Sequence, residues 1–367
     1  MSDLPTIDYS ARLQKLLDTV QADAVALVPG PNLFYFTGLN VHLSERPTIA
    51  FVTHQGLSFI MPQLEMIKLT QRSDLEANAF SWSDTDGYQG AFAALSNSLK
   101  GQSVAVDGMT MRVFESLALS KAGLDMTNVV DAGQDLLGIR AIKTPEEVTA
   151  MQTAIRMSET ALTHLMDWVQ PGMTEVQIAA RLNDEMSAAG IETMWFNLVL
   201  AGANAALPHG HSGSRVLGAD DFLLIDYGGS YQNYPSDITR TFCLGTPTAE
   251  MRRVYEAVRG ANEAARLISK PGVACGDVDK AARDVIEAAG YGEFFTHRTG
   301  HGLGLSGHEL PQIAWGVTDV LKPGMVFTIE PGIYLPGQYG VRIEDDMHVT
   351  EDGCESLTTY PRELAAK

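Results

Sequence analysis

Cysteine is scarce in this chain: Cys243, Cys275 and Cys354 are widely spaced among 367 residues, odd in number and without a CxxC pair. That excludes a disulfide framework and a thiolate zinc site, and it points to a reducing, cytoplasmic setting. Basic residues are also few, 26 Lys and Arg against 45 Asp and Glu, for a formal charge of -19. A phosphate-binding surface needs a basic footprint, so nucleic acid is not an expected partner. No run approaches the roughly 18 apolar residues of a membrane span, and the opening MSDLPTIDYSARLQKLL lacks the basic leader and apolar core of a signal peptide. No membrane partner is therefore expected. What remains is ordinary for a globular chain, 45% hydrophobic and 19% charged, at a length that favours two domains.

The first domain is expected over residues 1–140. Short apolar runs, ADAVALV (22–28), TIAFVTH (48–54), LSFIMP (57–62) and SVAVDG (103–108), alternate there with helical patterns and read as an α/β unit. Nothing in it gathers ionisable residues into a reactive set; His42, His54 and Trp82 read as structural or surface residues. The second domain, 141–367, is announced at KTPEEV, where Thr144 can cap a helix, Pro145 suits its first turn and Glu147 completes a capping box. Val148, Met151, Ile155, Leu162, Leu165, Met166 and Val169 continue at helical spacing as far as the Pro171-Gly172 stop. Further helices are expected at about 175–189, 248–269 and 277–289. The Pro-Gly pairs at 171–172 and 271–272 hint at two related halves.

Between these helices, strands carry acids where acids are costly. Alternation in FLLIDYGG puts Asp226 on a face with Phe222 and Leu224; in VFTIEPG, Glu330 shares a face with Val326 and Thr328. In GVRIEDDMHV, read as one strand, Arg342, Glu344, Asp346 and His348 share a face. An acid among apolar neighbours needs a partner or a metal. Asp226 and Asp237, eleven residues apart in DYGGSYQNYPSD, suit a strand, a Gly-Gly turn and a returning strand, which brings the two carboxylates together. With Glu330 and Glu344 added, a shared proton cannot relieve the repulsion, whereas two divalent cations can. His301 supplies one imidazole. An oxygen-rich set of this kind suits Mn, Co, Fe or Zn. Two such ions side by side hold a bridging hydroxide, which predicts hydrolysis.

In order along the chain, IDYGG, SDITRTF, TGHGLGLSGHE, TIEPGIY and VRIEDD resemble the motifs of the pita-bread metallopeptidases, the superfamily of methionine aminopeptidase, aminopeptidase P and prolidase. The resemblance implies an α+β class: a C-terminal pita-bread catalytic domain preceded by a smaller creatinase-type α/β domain. It implies that Asp226 chelates one metal, that His301 and Glu330 chelate the other, and that Asp237 and Glu344 bridge both, manganese being the first candidate. It further implies that His308 meets the substrate near the scissile carbonyl, that His209 steadies the tetrahedral species, and that Glu330 also shuttles the proton. His211 is expected at the rim or behind the ligands. Tyr227, Tyr231 and Tyr234 read as packing residues, and Asp345 and Asp346 fall outside the motif.

Within this superfamily the N-terminal domain accompanies cleavage of Xaa-Pro bonds, so proline-containing peptides are the expected substrates and a homodimer the expected assembly. His297, Leu303 and Trp315 are candidate pocket walls, and Arg342 a candidate for orienting substrate or carboxylates. A dipeptidase must grip a free carboxylate, preferably with a forked guanidinium. No arginine lies between His308 and Glu330, and the segment HELPQI offers Gln312. Sequence therefore favours an aminopeptidase P acting on peptides longer than two residues. Prolidase activity is the alternative, and a metal-dependent hydrolase or lyase of a small osmolyte a more remote one.

Overall fold

A computed structural model describes residues 7–365. The chain divides into two compact units, with the division between Arg140 and Ala141. The first contains helices α1 (Tyr9–Thr19), α2 (Pro31–Thr37), α3 (Met66–Thr70), α4 (Gln89–Ser98), α5 (Val113–Lys121) and the start of α6 (Gly133–Ala141). Its strands are β1 (Ala24–Leu27), β2 (Ile49–Thr53), β3 (Gly56–Pro62), β4 (Ala77–Trp82), β5 (Val104–Val106) and β6 (Val129–Asp131). They form one mixed sheet in the order β4-β3-β2-β1-β5-β6. AVAL in β1 is buried at every position, as a continuous apolar run in a central strand covered on both faces should be. The four strands expected from apolar runs are all present, whereas β4 and β6 carry more polar sequence and gave no such signal.

The second unit opens with α7 (Pro145–Trp168), whose first turn closes as the sequence predicts: Thr144 Oγ1 accepts from Glu147 N, and Glu147 Oε2 accepts from Thr144 N at 2.8 Å. Helix α8 (Glu175–Ala189) follows, then β7 (Thr193–Ala201), β8 (Phe222–Tyr231), the short β9 (Tyr234–Pro235) and β10 (Ile238–Cys243). Helices α9 (Ala249–Ile268) and α10 (Cys275–Ala288) precede β11 (Gly300–Gly302), β12 (Glu309–Ile313) and β13 (Val326–Ile329). The chain ends with β14 (Gly332–Leu335), β15 (Tyr339–Arg342), β16 (Asp345–Val349) and β17 (Cys354–Ser356). One sheet runs β10-β8-β7, another β12-β11-β13-β16-β17, and β14-β15 form a hairpin. Each large sheet packs its own helix pair, so the apolar residues fall into two clusters, one around Leu162, Ile178 and Ile225 and the other around Val258, Val278 and Phe327.

Two local expectations need correction. GVRIEDDMHV is two strands: Arg342 pairs with Gly332 in the hairpin, while Asp345 pairs with Ile329 in the large sheet. Ile343 and Glu344 are the crossing point between sheets, and His348 ends far along β16 beside Glu355, at 2.9 Å. The turn after Asp226 is Gln232-Asn233, both left-handed at φ 51° and 67°, and not the Gly-Gly pair, which lies inside β8. Gly228 is needed there for clearance, because a Cβ would lie 2.3 Å from Ser236 O on the returning chain.

Candidate metal centre

Five acidic or imidazole side chains reach one cavity from five places. Asp226 lies within β8, Asp237 just before β10, His301 in the middle of β11, Glu330 just after β13, and Glu344 between β15 and β16. All five line a cavity of about 420 Å³. Donor atoms of Asp237, His301 and Glu344 lie within 4.8 Å of one another. His301 Nε2 is 3.7 Å from Asp237 Oδ2 and 3.5 Å from Glu330 Oε1. The backbone of β11 must pass close to β13 to bring this imidazole in: a Cβ at Gly300 would fall 1.8 Å from Thr328 O.

The electrostatics are those of a site built for cations. Burial, compounded by Glu344 and Asp226, pushes the Asp237 carboxyl well above its usual range, and burial with Glu330 does the same to Glu344. Burial raises Glu330 to about 7, with Asp226 adding to the shift and Arg342 opposing it. His301 moves the other way, to about 3, because burial and the neighbouring His308 disfavour its cation. Its Nδ1 faces Gly302 O at 3.1 Å, leaving Nε2 turned to the acids with a free lone pair. Asp226 Oδ1 is buried without a hydrogen-bond partner. An orphaned carboxylate oxygen, crowded acids and a neutral imidazole together fit divalent cations.

The comparisons with known proteins agree with that chemistry. Residues 149–351 match the model of metallopeptidase family M24, and residues 10–142 match that of the creatinase/prolidase N-terminal domain. An uncharacterized peptidase of Staphylococcus saprophyticus is 37% identical over 349 residues, 94% of this chain and 97% of the relative. A prolidase from Thermococcus sibiricus superposes with a TM-score of 0.92 at 32% identity, covering 99% of this chain and 100% of its own. An X-Pro aminopeptidase from Thermotoga maritima gives 0.85 at 32%, covering 97% and 100%. The chain belongs to metallopeptidase family M24. It is a metal-dependent peptidase with the pita-bread fold and a creatinase-type N-terminal domain.

Around the acids, the peptidase holds a dense hydrogen-bonded frame. Glu344 Oε2 accepts from Thr239 Oγ1 at 2.5 Å. Arg342 is fully committed: Nε donates to Thr239 Oγ1 at 3.1 Å, Nη1 to the Tyr334 hydroxyl at 2.7 Å and Nη2 to Asp226 Oδ2. The two acids that follow Glu344 point elsewhere, in keeping with their place outside the motif. Asp345 pairs with Arg240 at 2.7 Å and with Arg362 at 2.5 Å, and these guanidiniums hold its carboxyl below the usual range despite burial. Asp346 accepts Asp237 N at 3.1 Å and so fixes the backbone of a candidate ligand.

The other sequence candidates separate clearly. His209, His297 and His308 line the cavity. The His308 ring lies 4.2 Å from that of His301, and burial lowers its pKa. Glu309, next to it, is tied to buried Lys143 at 3.2 Å and to Ser306 N at 2.9 Å, which anchors the glycine-rich segment carrying His308. His297 is lowered to about 4 by burial and by Arg342, and its Nε2 meets the Tyr334 hydroxyl at 2.8 Å. Trp315 is 69% exposed and lies off the cavity, so its expected role as a wall is corrected; a turn residue after β12 points to solvent. Leu303 is packed in the core and does not line the cavity either, and exposed His211 lies off it too. Tyr227 donates to Ser158 O at 2.9 Å and Tyr234 bonds Glu147, both of them packing roles. Sequence reading missed Phe196, Leu198, Pro208 and Arg298, which line the cavity. The first three carry no chemical signature; Arg298 stands three residues before His301 and could have been found by searching both sides of that ligand.

Proposed function

We propose that this peptidase hydrolyses the bond between an N-terminal residue and proline, with two divalent cations, manganese first among them, held by Asp226, Asp237, His301, Glu330 and Glu344. The observation that carries this reading is the convergence of those five groups on one cavity with His209, His297 and His308 beside them. Asp226 would hold one cation, His301 and Glu330 the other, and Asp237 and Glu344 would serve both. When bound, the ions would supply an activated water and a polarised carbonyl. Glu330 would accept the proton of the attacking water and release it to the departing nitrogen. His308 donates to substrate near the scissile carbonyl, and His209 donates to the carbonyl oxygen as it gains charge.

Proline as the residue after the scissile bond is supported by the names of the two solved relatives, a prolidase and an X-Pro aminopeptidase. An imino bond lacks an N–H, and the apolar cavity wall of Phe196, Leu198 and Pro208 offers the pyrrolidine ring a matching surface. His297, braced by Tyr334, borders the same space; Arg342 orients Asp226. A homodimer and a cytoplasmic setting, expected from resemblance and composition, complete the reading.

Substrate length rests on a different ground than the sequence suggested. Peptides longer than two residues are favoured there because no arginine follows His308 before Glu330. Arg298 lines the cavity from the other side of His301, and this supports a second reading in which Xaa-Pro dipeptides are substrates. The test is to supply purified protein with manganese and compare Ala-Pro, Ala-Pro-Ala and Ala-Ala. Turnover of a proline peptide with Ala-Ala left intact is expected; equal turnover of Ala-Ala would overturn the imino-bond reading.

A further inference from the structure

Besides His301, three histidines line the cavity, and each is carried by a segment tied to a buried carboxylate outside the candidate ligand set. His308 has Glu309, which takes Ser306 N and is itself paired with Lys143. His297 has Asp279 of α10, which takes Thr299 N at 2.9 Å and pairs with Arg283, a donor to His297 O. His209 has Glu175, the first residue of α8. This acid is fully buried and does not line the cavity. Its Oε1 accepts from Ala201 N at 2.7 Å and its Oε2 from Gly213 N at 2.8 Å, with Asn204 Nδ2 reaching the two oxygens at 3.0 and 3.1 Å. One carboxylate thus closes both ends of loop 201–213, on which His209 stands exposed. Asp279 and Glu309 each have a cation beside them. Among the described residues none pairs with Glu175, whose charge is met by those N–H groups and by the first turn of α8.

We infer that Glu175 is a positioning residue for the hydrolysis, holding loop 201–213 so that His209 faces the substrate's carbonyl oxygen. The inference rests on the donor role given to His209 above. A comparison of the two halves isolates what this acid adds. Glu175 N donates to Arg215 O and Val176 N to Gly213 O; one hundred residues on, Cys275 N donates to Asp319 O and Gly276 N to Val317 O. The backbone joint is the same in both, and the second half closes it with a cysteine in place of the glutamate. Closing the joint therefore needs no acid. What the acid reaches in the first half is the loop itself. Asn204, bonded to Glu175 by its side chain, accepts Leu207 N on its carbonyl oxygen, and Leu207 O accepts Gly210 N, so a chain of bonds runs from the carboxylate to the residues on either side of Pro208 and His209. These short turns shape the tip, and Glu175 sets where the tip stands. A catalytic donor displaced by about 1 Å forfeits much of its effect on rate, which is why the anchor is expected to act on turnover.

The experiment is a double-mutant cycle of manganese-loaded wild type, Glu175→Gln, His209→Ala and the two combined, with whichever of Ala-Pro and Ala-Pro-Ala the wild type cleaves faster. Glutamine keeps one acceptor oxygen but turns an amide NH2 toward Ala201 N or Gly213 N, which releases one end of the loop. Glu175→Gln should lower kcat roughly ten- to a hundredfold, change KM by less than about twofold and leave bound manganese unchanged. In the His209→Ala background the same substitution should cost less than about twofold, because its effect runs through the missing imidazole. Amide hydrogen exchange over 201–213 should quicken about tenfold in Glu175→Gln, with or without metal. Should that variant fold poorly, Asn204→Ala, which cuts the chain to the tip, should give a smaller loss with the same dependence on His209. An equal loss in both backgrounds, meaning that Glu175 serves the fold at large, overturns the inference, as does full kcat or unchanged exchange in Glu175→Gln. Full activity in His209→Ala overturns the donor role of His209 itself, and the inference with it.

Discussion

In the first half of the catalytic unit, Gly172 N donates to Leu217 O at 2.8 Å and Leu217 N to Met173 O at 2.8 Å; in the second, Gly272 N donates to Leu321 O at 2.9 Å and Leu321 N to Val273 O at 2.9 Å. Both glycines are left-handed, at φ 94° and 84°, one hundred residues apart. Each glycine lies between the two helices of a pair, α7-α8 or α9-α10, and each half carries three antiparallel strands, β7-β8-β10 in one and β11-β13-β16 in the other. The acids follow this repeat. Asp237 stands one residue before β10 and Glu344 one residue before β16, while Asp226 in β8 and Glu330 after β13 occupy the neighbouring strands. The imidazole does not follow it. In β7, the strand that corresponds to β11, the residues lining the cavity are the apolar Phe196 and Leu198. The comparison teaches that a duplicated frame sets carboxylates in matching places, and that its asymmetric parts supply an imidazole from one half and apolar lining from the other.

The largest effect should come from removing one donor in either half. Asp237→Asn and His301→Ala are each expected to lower activity by more than about a thousandfold and to cut bound manganese, read by metal analysis of the purified protein. If one half's donor can be lost with most activity kept, the two halves do not share the cations. The next effect concerns the link between halves, where Arg240 of β10 meets Asp345 of β16 and also donates to Glu344 O at 2.5 Å. Arg240→Met strips a partner from a fully buried carboxylate and should cost about 3–5 kcal/mol, on the order of 10 °C in the melting temperature. A change below about 1 kcal/mol would mean that the halves cohere through apolar packing and need no ionic link.

The smallest effect separates the acids from their counter-ions. In metal-free protein Glu330 is raised from 4.5 to about 7, and Asp237 and Glu344 shift the same way. A carboxyl with a raised folded pKa contributes stability that is fully present below its unfolded pKa and is lost as pH rises through the folded value. The chelated protein should therefore melt several degrees lower at about pH 8 than at about pH 5, and manganese should remove most of that slope. A flat profile without metal would show that Arg342 and the surrounding dipoles already compensate the cluster.

Much of this was legible in sequence because it is written locally. The capping box at Thr144 and Glu147 depends on residues three apart, and apolar runs such as AVAL announce buried strands whatever lies around them. Acids in otherwise apolar strands flagged Asp226 and Glu330, because burial of a charge is costly wherever the strand goes. Long-range relations gave no such mark. The break at Ile343 and Glu344 looks like continuous alternation, and Trp315 looks like a pocket wall until the turn after β12 sends it to solvent.

Arg298 and Gln312 make the same point most plainly. By itself the sequence carried the family, the main helices and a candidate set of donors, since each is written in residue type and near-neighbour spacing. Tertiary structure decided which side chains share a cavity, which guanidinium pairs with a carboxylate and which with an amide. That could not be read along the chain, because the pairing of β11 with β12 brings Gln312 beside His301 and joins it to a residue fourteen positions away.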